Sequence, residues 1–199
     1  MICFCDNIME FVKINKYELF ICNNCGHIKK KNILPNQLQK ARYDNHVCDD
    51  GYLKYMNNVF EIIKPYLNDG VSLDYGCGQI HALSDILNTN NLYCDYYDLF
   101  YYNNLNDAKY DNIILIEVIE HIEDIYSEIK KLKNMLNYNG KIIIMTNFIP
   151  QNINNWWYLR DTTHVSFLGE NSIIKLADKL GMDVIIENNN NLFVLCEKA

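Results

Sequence analysis

The sequence has little basic charge and no long apolar run. Its 18 lysines and arginines are outnumbered by 25 aspartates and glutamates, which gives a formal charge of −7. This negative net charge argues against nucleic acid as the main partner, because binding a phosphate backbone requires a basic surface. No stretch approaches the length of a membrane span, and the N-terminal residues MICFCDNIMEF lack the basic region and apolar core of a signal peptide. We therefore expect a cytoplasmic protein without a membrane segment.

Cysteines are frequent for such a protein and fall into distinct groups. Cys77, Cys94 and Cys196 lie in apolar or glycine-rich segments, where a small buried thiol is expected. Four others crowd into the first 25 residues: Cys3, Cys5, Cys22 and Cys25. A disulfide framework is not expected in a chain of 199 residues without export signals.

The segment YELFICNNCGHIKKK predicts a strand, a C-x-x-C-G turn and a polar exit. The glycine of such a turn lets backbone N–H groups approach two thiolates, as in zinc ribbons. Cys3 and Cys5 would supply the second pair, with a C-x-C spacing that is shorter than usual, and His27 is a spare ligand. Two states are considered, a structural zinc ion or a metal-free knuckle of reduced cysteines. We assign residues 1–48 to this zinc-ribbon-like segment.

Residues 49–199 alternate between helical and strand periodicity. GYLKYMNNVFEIIKPYL (51–67), HALSDILN, IYSEIKKLKNMLNYNG and NSIIKLADKLG predict helices, the third with Leu136 on its apolar face and Gly140 as its C-terminal stop. VSLDY, LYCDYYD, YDNIILIE and KIIIMT predict strands, and MDVIIE and NLFVLCEK predict a closing hairpin. The alternation indicates an α/β fold, a doubly wound and mostly parallel sheet covered on both faces, with a terminal antiparallel hairpin.

The ends of the first strands carry residues suited to a nucleotide-like cofactor, and ligands bind at the carboxyl ends of strands in such sheets. Asp74 closes the first strand, and in LDYGCGQ the glycines Gly76 and Gly78 allow positive φ and close approach of a ligand. Asp98 ends the next strand, where an acid can accept hydrogen bonds from both ribose hydroxyls. His81 stands where a dinucleotide fold has its third glycine. This difference disfavours pyrophosphate and favours a cofactor with a ribose but no phosphate.

VSLDYGCGQ, YDNIILIEVIEHIED and NYNGKIIIMT together resemble the class I S-adenosylmethionine-dependent methyltransferases, over roughly residues 50–199. RYDNHVCDDGYLKYM and WWYLRDTTHVSF are similar to a bacterial group of that family with a cysteine-bearing N-terminal segment. The resemblance implies a Rossmann-like fold and S-adenosylmethionine (SAM) as cofactor. It also implies the cofactor-binding residues: Asp74, Gly76 and Gly78 at the methionine end, Asp98 at the ribose, Leu99 and Phe100 beside the adenine, and the backbone near Glu117. Residues 101–109 depart from the family pattern, so an edge strand is expected to be lost or very short.

NIILIEVIEHIED places Glu117 at the end of a buried strand, with Glu120 and His121 just after it. The loop after KIIIMT carries NWWYLRDTTHVSFLG, so His164 can reach the same strand ends. Two carboxylates and two imidazoles in a cleft suit a divalent ion such as Mg²⁺, Mn²⁺ or Zn²⁺. E-x-x-E-H followed by R-x-x-x-H-x-x-F also resembles the metal-dependent 2′-O-methyltransferases that cap small RNAs. E-x-x-E-H recurs in ubiquinone-pathway O-methyltransferases.

Other roles for these residues stay open. His164 can act as a metal-free general base oriented by Asp161, with His121 as a further candidate catalytic residue. Glu120 and His121 can also simply cap the helix that follows. The same sequence therefore accommodates a metal site, a catalytic histidine or a structural arrangement.

The aromatic loop predicts where an acceptor would bind. Trp156, Trp157 and Tyr158 form either a lid over an aromatic or sugar acceptor or a patch over the core, and Arg160 can anchor a carboxylate or phosphate or pair near Asp161. The leading hypothesis is methyl transfer from SAM to an oxygen of a small-molecule acceptor. The alternatives are C- or N-methylation of a sugar or similar metabolite, methylation of an RNA 2′-hydroxyl, and a non-catalytic SAM-binding module whose N-terminal segment docks a partner. Nothing in the sequence sets an oligomeric state.

Overall fold

The computed structural model describes residues 1–45, 48–105 and 107–198. In chain order the strands are β1 (Met9–Ile14), β2 (Tyr17–Cys22), β3 (Ile28–Lys30), β4 (Ser72–Tyr75), β5 (Cys94–Tyr97), β6 (Tyr110–Ile116), β7 (Leu136–Met145), β8 (Ser166–Phe167), β9 (Met182–Glu187) and β10 (Leu192–Glu197). The α-helices are α1 (Asn36–Tyr43), α2 (Asp50–Ile63), α3 (Ala82–Thr89), α4 (Ile125–Lys133) and α5 (Glu170–Leu180). No helix within the described ranges is long and apolar enough to cross a membrane.

The larger sheet has six strands in the order β5-β4-β6-β7-β10-β9. The pairs β5–β4, β4–β6 and β6–β7 are parallel, whereas β10 runs antiparallel to both of its neighbours, β7 and β9. The predicted α/β class and the closing hairpin with one reversed strand are therefore confirmed.

Helices cover both faces of this sheet. Alternate residues of its central strands point to opposite faces and pack against different helices. On β6, Ile113 and Leu115 pack in one core with α4 and α5, whereas Ile114 and Ile116 pack in another with α2 and α3. Near-continuous apolar runs such as YDNIILIE are typical of strands buried on both faces.

The prediction for the end of α4 was wrong. Asp124 caps the start of α4 by accepting the N–H of Ser127 at 3.1 Å, but the helix stops at Lys133 and Leu136 already belongs to β7. Gly140 is not a helix stop. It lies where β6 and β7 shift register, and a Cβ there would lie 3.0 Å from the carbonyl oxygen of Tyr110. The glycine permits this close approach of two backbones.

The strand β5 forms one edge of the larger sheet. The described residues between 101 and 109 add no strand beyond it, and an isolated bridge pairs Asp98 with Tyr102. The expected loss of an edge strand is thus observed within the described part of this segment.

The smaller sheet joins the two parts of the chain. It has the order β1-β2-β3-β8, so three strands come from the N-terminal segment and the fourth from the loop before α5. Lys29 pairs with Ser166 and Ile28 with Phe167. The boundary between residues 48 and 49 stays a prediction, and the β3–β8 pairing fixes the N-terminal segment against the loop that carries His164.

Candidate active site

A tight turn follows β4 and carries the two predicted glycines. Gly76 and Gly78 both have positive φ, 83° and 68°, a conformation that favours glycine. A Cβ on Gly76 would lie 2.6 Å from Cγ2 of Val118, whereas a Cβ on Gly78 would have no atom of the described residues within 4 Å. The N–H of Gly76 donates to the carbonyl of Tyr97 at 2.7 Å and ties the turn to β5. Gly78 therefore leaves open space beside the backbone, which a cofactor needs.

Asp98 lies beside this turn, as its place at the end of a strand predicts. Its Oδ2 accepts the N–H of Gly78 at 3.0 Å, and its Oδ1 accepts the N–H groups of Phe100 at 2.8 Å and Tyr101 at 3.2 Å. These bonds fix the carboxylate and leave lone pairs that can accept from ligand hydroxyls. Leu99, next to it, is 59% exposed and is open to a ligand.

Asp74 and His81 flank the glycine turn. Asp74 is buried, and burial raises the pKa of its carboxyl to about 7, against a smaller opposing effect of the Ser84 N–H. His81 has a φ of 38° and directly precedes α3. The position of the missing third glycine thus keeps a left-handed backbone, although a histidine occupies it.

Tyr158 lies between the two predicted glutamates. Its hydroxyl lies 2.8 Å from Oε2 of Glu117 and also bonds Glu120, whose Oε2 accepts from Thr146 Oγ1 at 3.0 Å. Burial raises the pKa of Glu120, and burial with the charge of Glu120 raises the pKa of Glu117 to about 7. One phenol hydrogen serves one carboxylate, and two buried carboxylates this close together repel each other unless a proton or a cation intervenes. Sequence reasoning missed this role of Tyr158.

His121 and His164 turn the same ring nitrogen toward backbone carbonyls. Nδ1 of His121 lies 3.1 Å from the carbonyl oxygen of Thr163, and Nδ1 of His164 lies 3.0 Å from that of Tyr158. Because a carbonyl only accepts, Nδ1 of each ring carries the hydrogen and each Nε2 offers a lone pair. Burial lowers the pKa of both rings, that of His164 to about 3. Both rings are neutral, the form in which imidazole binds metals.

The donor atoms of Glu120, His121 and His164 lie within 4.8 Å of one another. One carboxylate and two imidazoles are a frequent ligand set for divalent ions, and hydrogen bonds at the remote nitrogens orient such histidines. The residues present therefore fit a divalent cation. Three of the four predicted ligands come together, and Glu117 joins them through the hydroxyl of Tyr158. Glu117 also has a φ of 53°, a strained backbone of the kind found at functional sites.

This cluster opens into a cavity of about 550 Å³. Its walls include Arg42 and Tyr43 of α1, Glu117, His121 and most of the loop 157–164. A cavity of this size can enclose a small organic molecule. The helix α1, which the sequence reasoning did not predict, thus forms part of the site.

The two tryptophans of the loop have different surroundings. Trp156 packs on Phe167, with ring centroids 5.3 Å apart, whereas Trp157 is 58% exposed and lines the cavity. The sequence allowed either a lid or a patch over the core. Trp156 packs against the core, whereas Trp157 lies in the wall of the cavity and its role as a lid stays a prediction.

The carboxylate of Asp161 is held by neighbours other than His164. Its Oδ1 accepts the N–H and the hydroxyl of Thr163 at 2.9 and 2.6 Å, and its Oδ2 accepts from Arg42 at 3.3 Å. Burial alone would raise the pKa of Asp161, but the hydrogen bonds from Thr163 hold it at about 2. His164 donates its own Nδ1–H to the carbonyl of Tyr158. The catalytic pairing of Asp161 with His164 stays a prediction.

The N-terminal segment contacts the cluster directly. The hydroxyl of Tyr43 lies 3.0 Å from Nδ1 of His121. The N–H of Lys30 in β3 donates to the carbonyl of Val165 at 2.8 Å, and the N–H of Val165 donates to the carbonyl of Glu120 at 2.8 Å. A ladder of backbone hydrogen bonds therefore runs from β3 to a candidate metal ligand.

The Sγ atoms of four cysteines lie within 4.8 Å of one another: Cys3, Cys5, Cys22 and Cys25. The pairs Cys3–Cys25 and Cys5–Cys22 are each separated by 3.5 Å. A tetrahedral zinc ion with Zn–S bonds of about 2.3 Å separates its sulfurs by about 3.8 Å. The four predicted cysteines therefore fit a zinc ion, and Gly26, with a φ of 77°, directly follows the last of them in the C-x-x-C-G turn.

His27 connects this cysteine cluster to the smaller sheet. Its Nδ1 lies 3.6 Å from Sγ of Cys3, and its Nε2 lies 2.8 Å from Oγ of Ser166 in β8. Hydrogen bonds from Cys25 and His27 lower the pKa of Cys3 to about 3 despite burial. His27 thus links the sulfur of Cys3 to β8, and its role as a spare ligand stays a prediction.

Comparison with known proteins supports one family. The family model described as a methyltransferase domain matches residues 52–187, and no curated protein sequence matches the chain. An O-methyltransferase family protein from Burkholderia thailandensis superposes with a TM-score of 0.53 at 11% identity, over 81% of this chain and 63% of that one. Magnesium protoporphyrin IX methyltransferase from Synechocystis PCC 6803 with bound SAM superposes with a TM-score of 0.50 at 14% identity, over 82% and 92%. This chain thus spans less than two thirds of the Burkholderia protein, and identities this low establish the fold alone.

Proposed function

This chain belongs to the family of SAM-dependent methyltransferase domains, and we propose that it transfers a methyl group from SAM to an oxygen atom of a small-molecule acceptor. The resemblance seen in the sequence is thereby confirmed at the level of the family. The proposal concerns the acceptor and the transfer to its oxygen. It is supported by the cavity beside the cluster of Glu120, His121 and His164.

The cofactor half of the site is assigned to the ends of β4 and β5. Gly78 leaves space beside the backbone, Asp98 is oriented by backbone donors, and Asp74 is a buried acid that a ligand ammonium group would stabilise in its charged form. We assign Asp74, Gly76 and Gly78 to the methionine end and Asp98 to the ribose. Bound there, SAM supplies an electrophilic methyl group.

The acceptor half is assigned to the cavity lined by α1 and the loop 157–164. The observation that carries the proposal is that the imidazoles of His121 and His164 line this cavity and that a nitrogen of each lies within 4.8 Å of the buried carboxylate of Glu120. A divalent cation held by these groups would lower the pKa of an acceptor hydroxyl and favour its attack on the methyl group. The protein's own part is to orient the acceptor and exclude water, with Trp157 over the cavity.

The cysteine cluster is assigned a structural zinc ion. Its four sulfurs lie close enough together to surround one ion, and they join the N-terminal residues to the β2–β3 turn. Zinc sites of this kind contribute directly to folding. The zinc would therefore stabilise the segment that supports the acceptor cavity.

The test is a calorimetric titration with SAM, followed by a methyl-transfer assay on a panel of hydroxylated acceptors with Mg²⁺, Mn²⁺, Zn²⁺ or EDTA. We expect Asp98→Ala to weaken SAM binding at least about tenfold, since two ribose hydrogen bonds to a charged group are lost. Glu120→Gln should keep SAM affinity and lose transfer, whereas the matched variant Glu123→Gln, at an exposed position, should change neither. Absence of SAM binding would refute the assignment of the cofactor site. Transfer that survives both EDTA and Glu120→Gln would refute the role of a metal.

A further inference from the structure

A second cavity adjoins the first on the side of the N-terminal segment. It has a volume of about 330 Å³ and lies between the β1–β2 turn and the loop after β7. Lys16 and Tyr17 line it from the turn, and Asn154, Asn155 and Arg160 line it from the loop. Arg160 lines both cavities, so a ligand that passes this side chain can occupy the two together.

The charge of this second cavity is opposite to that of the whole chain. Acidic residues outnumber basic ones by 25 to 18 in the sequence, yet the described lining contains Lys16 and Arg160 and no carboxylate. The ion pairs found in the described part of the chain do not include either cation. Two cations in a cavity whose described lining holds no carboxylate favour an anionic ligand.

The walls of this cavity are fixed to each other. The side-chain amide of Asn15 donates to the carbonyl oxygen of Asn154 at 2.7 Å and joins the β1–β2 turn to the loop. Lys16 lies on the turn and Arg160 lies on the loop, so this bond holds together the two walls that carry the charges. A partly buried indole, that of Trp156, completes the lining.

Arg160 is also the more available cation of the first cavity. Arg42, the other arginine there, already pairs with Asp161 at 3.3 Å. A guanidinium group binds a phosphate or carboxylate through two parallel hydrogen bonds, whereas an ammonium group acts as a point charge. Arg160 can therefore orient an oxyanion at the junction of the cavities, with Lys16 adding attraction beyond it.

We propose that the acceptor is an extended molecule with a hydroxyl at one end and an oxyanion, a phosphate, sulfate or carboxylate group, at the other. The hydroxyl end occupies the first cavity, which rests on the proposed function, and the oxyanion binds in the second cavity between Lys16 and Arg160. The N-terminal segment then recognises the acceptor through its β1–β2 turn. Acceptor choice is shared between this segment and the loop after β7.

Intrinsic fluorescence offers a test that needs neither SAM nor turnover. The chain has two tryptophans, and Trp157 lines the first cavity while Trp156 lines the second. Inorganic phosphate, pyrophosphate, sulfate and acetate are titrated separately, at constant ionic strength, into the wild type, Arg160→Gln and Lys16→Gln. The matched control is Lys13→Gln, which removes the same charge from an exposed position of β1 outside both described linings.

We expect a saturable fluorescence change in the wild type and in Lys13→Gln with at least one of these anions. Arg160→Gln should weaken that binding by about tenfold or more, and Lys16→Gln by less, because the arginine makes two charge-assisted hydrogen bonds. The anion that binds best identifies the class of oxyanion. No saturable change with any anion, or equal binding by Arg160→Gln and Lys13→Gln, would overturn the proposal. Either result leaves the separate SAM titration unaffected, so the two proposals fail independently.

Discussion

The hydroxyl of Tyr158, a residue that lines the acceptor cavity, bonds the buried carboxylate of Glu120. Both side chains are 1% exposed, and Glu117 shares the same hydroxyl. Two carboxylates and one phenol hydrogen leave the site short of positive charge or of protons. A divalent cation bound by Glu120 would remove that deficit, and Tyr158 is the side chain that bonds both carboxylates.

Replacing Tyr158 with Phe should destabilise the metal-free protein by about 1–3 kcal/mol, since a buried carboxylate loses a donor. Added Mn²⁺ should restore part of this loss, because a cation that binds only the folded state stabilises it. Urea unfolding with and without Mn²⁺ measures both effects. Tyr138→Phe, at a side chain that is 84% exposed, is the matched control and should match the wild type. Equal stability of Tyr158→Phe and wild type would contradict this account.

Alanine substitutions at Gly76 and Gly78, in the turn after β4, should affect different properties: the first mainly lowers stability, and the second mainly lowers SAM affinity. Gly76→Ala would place a Cβ 2.6 Å from Val118 Cγ2 at a φ of 83°, so we expect a loss of more than about 2 kcal/mol from clash and strain. Gly78→Ala meets no atom of the described residues within 4 Å and should cost only about 1 kcal/mol. Its Cβ occupies the open space assigned to SAM, so SAM should bind at least about tenfold more weakly. Thermal unfolding measures the loss of stability, and calorimetry measures the loss of SAM affinity. Unchanged SAM affinity in Gly78→Ala would count against the assignment of this space to SAM.

The alternating elements of the larger sheet could be predicted because each leaves a local period in the sequence. The run NIILI reads as a doubly buried strand, and Asp98 is found by its place at the end of a strand. The ends of elements are weaker signals, as Gly140 illustrates, because a glycine that stops a helix and one that lets two strands approach look alike in sequence.

The walls of the site could not be predicted, because their contacts join distant parts of the chain. Arg42 and Asp161 are 119 residues apart, and His27 and Ser166 are 139 apart. Such pairs depend on how the two sheets pack, which no local pattern records. The helix α1 did leave a weak signal, since Pro35 directly precedes it and basic side chains occupy its last turn.

Loss of the cysteine cluster should lower the metal affinity of the cluster formed by Glu120, His121 and His164. It should leave SAM affinity nearly unchanged. Cys25→Ser should abolish zinc binding and reduce Mn²⁺ affinity, because the backbone ladder from Lys30 through Val165 to Glu120 loses its support. SAM affinity should stay within about twofold, since its residues lie on the larger sheet. Elemental analysis for zinc, electron paramagnetic resonance for Mn²⁺ and calorimetry for SAM provide the three measurements.

The control for this prediction is Cys48→Ser. Cys48 is exposed and lies outside the cluster, so its substitution should leave all three measurements unchanged. If Cys25→Ser loses zinc but binds Mn²⁺ as the wild type does, the two clusters are independent and the ladder has no role in metal binding. If Cys25→Ser keeps zinc, the ion does not depend on all four sulfurs and the assigned ligand set is wrong.

Protonation of Asp74 should contribute stability to the folded protein as the pH falls. Burial raises the pKa of this carboxyl from 3.8 to about 7, so near about pH 5.5 the folded state binds a proton that the unfolded state does not. The contribution of Asp74 to the free energy of unfolding should therefore rise as the pH falls below about 7, by up to about 1.4 kcal/mol per unit, until about pH 4. Asp74→Asn cannot bind this proton, so urea unfolding of both proteins across that range should show the stability of the wild type relative to Asp74→Asn increasing as the pH falls. Equal slopes would contradict a raised pKa, and SAM, whose ammonium group favours the ionised carboxylate, should flatten the wild-type slope.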